Sequence, residues 1–146
     1  MRILYLPNQY NQQRQREKKR WIYPVRMAIE AEWYRKQGHE VIWAMRYPVV
    51  NTEAGGLLSQ RYDKIIEEPE GLPFLSLPHP DRVFTNAMDK QYQNNGNFKY
   101  HPGTYIQSAS GCWHGKCTFC VENGQKYEVR PVEDVIEEIK ECQRLG

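Results

Sequence analysis

The residues best suited to chemistry lie close together in Cys112-Trp-His-Gly-Lys-Cys117-Thr-Phe-Cys120, three of the chain's four cysteines within nine positions. Thiolates are soft anionic donors, and spacings this short let several of them reach one metal centre. The donor set alone admits three readings. An iron–sulfur cluster held by three thiolates keeps one iron open to a small molecule. A zinc ion completes a four-coordinate shell with His114 or Cys142. A 2Fe-2S centre takes Cys142 as the distant thiolate after a C-x4-C-x2-C run. Three unligated thiols in one loop would be unusual at this spacing.

The downstream pattern bears on Cys142. Val132, Val135, Ile136, Ile139, Cys142 and Leu145 form one apolar stripe at helical spacing. That stripe predicts a core-facing Cys142 acting as a small hydrophobe. His114, two residues from Cys112, is tight for a shared tetrahedral ion, and a zinc ribbon would normally offer a second ligand pair.

These donors need elements to position them. Thr104–Ser110 reads as a strand and Arg130–Lys140 as an amphipathic helix. Pro131 suits the helix start, and Glu133 and Asp134 suit its dipole. Arg130 is expected to anchor that start rather than to reach the loop. Strand, cysteine loop and helix make a βα unit with its ligands at the strand's carboxyl end, where α/β folds place their chemistry.

Upstream, Arg2–Leu6 predicts a first strand, and Tyr23–Gln37 a helix with Ile22, Val25, Ile29 and Trp33 on one stripe. Pro24 stands where that helix starts and Gly38 where it stops. His39–Met45 predicts a second strand, and the order is the opening of a Rossmann-like parallel sheet. Tyr62–Glu67 and Leu72–Leu77 are candidate later strands, and 78–103, with its prolines and Asn94-Asn-Gly-Asn97, is a connector. The basic stretch Arg14–Arg20 reads as a solvated loop, and Gly55-Gly56 as a turn. His39, His79 and His101 are given no role.

Composition narrows the classes. The 146 residues are 40% hydrophobic and 26% charged, enough for one medium domain or two small ones. A net charge of +2 makes no case for a nucleic-acid partner, and no apolar run is long enough to span a bilayer. The first residues are too short and strand-like for a signal peptide, so a reducing cytoplasm is expected. There, clustered cysteines favour metal or redox chemistry.

Ser108-Ala-Ser-Gly-Cys112…Cys117-Thr-Phe-Cys120-Val-Glu-Asn-Gly, followed by Tyr127-Glu-Val-Arg-Pro-Val-Glu-Asp-Val-Ile-Glu-Glu-Ile139, resembles the first βα unit of the radical S-adenosylmethionine enzymes. The family usually shows C-x3-C-x2-C with an aromatic before the last cysteine. Here Phe119 takes that place, and one extra residue separates the first two cysteines, an insertion found in some subfamilies. The Rossmann-like region resembles the amino-terminal domain of cobalamin-binding members. Their Asp-x-His-x-x-Gly signature is absent, which weighs against cobalamin.

The resemblance implies that Cys112, Cys117 and Cys120 hold a 4Fe-4S cluster whose open iron binds S-adenosylmethionine, with Phe119 near the adenine. Reductive cleavage would then give a 5′-deoxyadenosyl radical. The expected fold is α/β: a Rossmann-like domain with its connector over 1–103, then the start of a radical S-adenosylmethionine partial barrel over 104–146. A closed barrel takes at least ~200 residues. The expectation is therefore a truncated or split enzyme, inactive alone, that needs an electron donor and a second chain or further region to complete the barrel.

Overall fold

The computed structural model describes residues 1–8, 22–45, 56–93, 99–121 and 123–146. The basic stretch Arg14–Arg20, Gly55 and Asn94–Asn97 lie outside these residues. The architecture is mixed α/β.

Ile3, Leu4 and Tyr5 are fully buried in succession, which requires cover on both faces of their strand. That strand, β1 (Arg2–Tyr5), lies at the centre of a parallel sheet between β2 (Glu40–Trp43) and β3 (Lys64–Ile66). The register sets Ile3 beside Val41 on one side and Lys64 on the other. Because side chains alternate along a strand, Ile3 and Tyr5 meet helix α1 (Val25–Lys36) through Met27, Ala31 and Tyr34. Leu4 and Leu6 point the other way, to Ala44 and the partly buried Leu57 and Tyr62.

The buried face of α1 differs from the predicted stripe. Of that stripe Ile29 is buried, Val25 and Trp33 are half-buried and Ile22 is exposed, whereas Met27, Ala28, Glu30, Ala31 and Tyr34 are buried as well. Ala31 packs with Ile3 and Tyr5 of the sheet, whereas Ala28 packs with Tyr23, Ala87 and Tyr92. Glu30 tolerates burial because it accepts the Glu70 and Gly71 backbone N–H groups and pairs with Arg26 at 3.1 Å. Gly38 stops the helix as expected: at φ +83° it donates to Arg35 O while His39 N–H reaches Tyr34 O, the paired bonds of a Schellman end.

Leu72–Leu77 is not a strand. Pro73 and Pro78 remove ladder donors at both ends, and Phe74–Ser76 turns as a short 3-10 helix with Ser76 Oγ donating to Pro73 O. The 78–103 segment is more than a connector. It supplies buried Arg82, Thr85, Ala87 and Tyr92, the last from the four-residue helix α2 (Lys90–Gln93). Tyr23 and Thr85 share a 2.6 Å hydroxyl hydrogen bond.

Of the predicted strand over 104–110, only β4 (Ala109–Ser110) pairs, and it pairs antiparallel with β5 (Glu128–Val129). Helix α3 (Val132–Arg144) follows at once. The predicted apolar stripe of α3 is not its buried face: Val132, Ile136 and Ile139 are exposed, and Glu138 is fully buried. Glu138 accepts from Arg82 Nη2 and from Arg130 Nη1, both at 2.5 Å. Arg82 also donates to Tyr105 O, and Arg130 to Gln107 O and Asp134.

Removing the shared carboxylate strands two buried guanidinium groups. Glu138→Ala is expected to cost about 3–5 kcal/mol, measured as a lowered urea midpoint. An unchanged midpoint would show that Arg82 and Arg130 are not left stranded when this carboxylate is removed.

Candidate metal centre

The cysteine loop is the excursion between β4 and β5, so its two ends meet in one hydrogen-bonded ladder. Arg130 N–H extends the closure by donating to Ser108 O at 2.9 Å. Gly111 sits where the limbs come closest. Its φ is +75°, and a Cβ there would lie 2.2 Å from Lys126 O, so glycine is required by both conformation and contact. Gly115, at φ +57°, holds a left-handed backbone conformation after Cys112.

Beyond Gly115 the loop is built from turns. Cys120 N–H donates to Cys117 O at 3.1 Å, and Asn123 N–H to Cys120 O at 3.2 Å. Cys112, Cys117 and Cys120 are all half-buried with free thiols. Phe119 is 92% exposed at the turn between the last two. His114 is exposed, its ring 5.6 Å from that of Trp113.

The structure therefore puts the three predicted thiols on one loop with a fixed base, without closing them round a point. Among the described residues no group of three or more His, Cys, Asp or Glu side chains is gathered closely enough to hold a metal ion. Like-charged thiolates repel, and a bound cation is what offsets that repulsion. By donor chemistry the set fits a thiophilic centre: three free thiols, none of them in a disulfide.

Cys142 belongs to a different environment. It is ten positions along α3 from Val132, about 15 Å of helical rise. It lines a cavity of about 250 Å³ with Met88, Ile106, Ile139 and Leu145. Burial pushes its thiol pKa up, with Glu138 and Glu141 acting the same way and Arg82 opposing them. Arg130, expected at the helix start, is held there by Asp134 and Glu138.

His79 has a role that its sequence context does not reveal. Its Nε2 lies 2.9 Å from Asp134 and its Nδ1 3.0 Å from Glu141, clamping the 78–103 segment to α3. Burial acts to lower its pKa, but the hydrogen bonds to Asp134 and Glu141 outweigh burial and raise it. Two acids seven positions apart on one helix share a face, which is the sequence signal that could have pointed to a basic partner.

Two outcomes follow. Gly111→Ala is expected to destabilise the loop base by at least about 1–3 kcal/mol, read as faster hydrogen exchange at the Arg130 amide. Unaltered exchange would mean that the limbs do not approach this closely. For His79, the folded pKa is raised above 6.5, so its contribution is complete below that value and fades as pH rises through the folded pKa. The Asp134 pKa is lowered despite burial, by Arg130 and His79, so its contribution fades as pH falls. His79→Ala is expected to remove a stability change of about 0.2–1 kcal/mol per pair across the neutral window, measured by urea midpoints against pH. Identical pH profiles would refute the clamp.

Among the described residues no helix is long and apolar enough to cross a membrane. Comparison with family models, curated proteins and solved structures found no match to this chain.

Proposed function

We propose that this chain carries the cluster-binding loop of a radical S-adenosylmethionine enzyme, with Cys112, Cys117 and Cys120 as ligands of a 4Fe-4S cluster. The observation that carries the reading is the loop: three free thiols within nine residues, on an excursion whose ends are locked by β4, β5 and Gly111. When bound, the cluster and S-adenosylmethionine at its open iron supply reductive cleavage to a 5′-deoxyadenosyl radical.

The chain's own residues bind and orient. The turns at Cys117 and Cys120 present two donors from one short arc, and Cys112 supplies the third from the limb next to the ladder. Phe119, exposed on that arc, offers a flat apolar face for an adenine. Arg130 and Glu138 hold the base of the loop against α3. The exposed Val132, Ile136 and Ile139 form an apolar face that further barrel elements, from another region or a second chain, would cover. An electron donor completes the system.

The test is anaerobic reconstitution with iron and sulfide, then EPR of the reduced protein with and without S-adenosylmethionine. A 4Fe-4S signal that changes shape with S-adenosylmethionine is expected. Alanine at Cys112, Cys117 or Cys120 should each lower cluster content at least about tenfold, the scale on which loss even of an outer-shell partner acts. Cys142→Ala should leave it unchanged. One zinc per chain and no cluster would overturn the reading in favour of a zinc module using His114, and loss of a two-iron signal in Cys142→Ala would favour a 2Fe-2S carrier.

A further inference from the structure

The same loop has a chemistry that needs no metal. Cys117 and Cys120 are the first and last residues of a turn closed by a 3.1 Å backbone hydrogen bond, with Thr118 and Phe119 between them. Such a turn brings its outer Cα atoms within about 7 Å, and a disulfide spans Cα separations of about 4.4–6.8 Å. The backbone is thus already folded to the reach of a bridge. Both thiols are free and half-buried rather than enclosed, so a small oxidant can approach them.

The other two cysteines are placed differently. Cys112 stands five positions before Cys117, with the left-handed Gly115 between them, and no backbone hydrogen bond closes a turn between it and either partner. Cys142 lies on α3, where it lines a cavity with Met88, Ile106 and Ile139 and shares no turn with another cysteine.

We propose that Cys117 and Cys120 form a redox-active dithiol that low-molecular-weight disulfides oxidise to an intrachain bridge. One thiolate of the pair attacks a sulfur of the small disulfide, whose S–S bond breaks and releases one thiol. The second cysteine then attacks the resulting mixed disulfide, closing the Cys117–Cys120 bond and releasing the other thiol. The protein dithiol loses two electrons and two protons, and the small disulfide gains both. Resting on the proposed cluster function, the bridge withdraws two of three ligands, so oxidation closes the loop to iron and reduction reopens it.

The experiment uses the full chain, reduced and freed of metal by a chelator, then incubated anaerobically with glutathione disulfide. Free thiols are expected to fall from four to two per chain, with peptide mapping placing the bridge at Cys117–Cys120. Cys112→Ala should still form it, whereas Cys117→Ala and Cys120→Ala should stop at a mixed disulfide. Iron uptake should be lost in the oxidised protein and return with dithiothreitol. Four unreacted thiols, a stable mixed disulfide in the unsubstituted protein, or a bridge to Cys112 or Cys142 would each overturn the proposal. A correct bridge in a protein that takes up no iron even when reduced would support the dithiol and overturn only the cluster reading.

Discussion

Glu138 is the point on which the second half of the chain depends. A lone buried carboxylate is costly, and so is a lone buried guanidinium. Here one carboxylate serves two guanidinium groups, each oxygen taking one donor. Such an arrangement adds little net stability over apolar packing, yet it is expensive to break and sharply specific in geometry. Through Arg82 it fixes the 78–103 segment and Thr104–Tyr105. Through Arg130 it fixes the end of β5 and the backbone at Gln107. Three stretches distant in sequence are thereby held at one point, and α3 is set against the foot of the cysteine loop.

The loop itself combines a constrained base with an exposed tip. The ladder, Gly111 and the Arg130 amide define the base, while Trp113, Phe119 and Val121 lie open to solvent at 79%, 92% and 87%. That division suits a ligand-bearing segment. A fixed base limits the search the donors must make, and a tip without its own core can close round what it binds. It also explains why thiols so close in sequence do not converge: turns and a ladder position the backbone, and only a bound centre supplies an attraction between the sulfurs themselves.

The sheet was legible because its signals are local and periodic. The continuous apolar run at Ile3, Leu4 and Tyr5, a helical stretch ended by Gly38 and an apolar second strand are all written within short windows. The misreadings came where another force displaced the hydrophobic pattern. On α1 two alanines and an ion-paired Glu30 joined Ile29 among the buried residues, while Val25 and Trp33 stayed half-buried. At Leu72–Leu77 the prolines overruled the apolar run. On α3 a carboxylate took the place expected of Ile136 and Ile139. No periodicity encodes that choice, because the partners of Glu138 lie 56 and 8 residues away.

The sequence by itself determined the clustering of the cysteines, the stop of α1 at Gly38 and the parallel order of the first strands, since cysteine spacing, glycine conformation and apolar runs are properties of neighbouring residues. It placed Arg130 at the start of its helix for the same reason. Only the tertiary structure decided that β4 pairs antiparallel with β5, that His79 clamps α3, and that Glu138 takes the buried face of α3. Each of these depends on which distant groups meet, and burial makes that meeting decisive: a charge removed from water needs its partner wherever in the chain that partner lies.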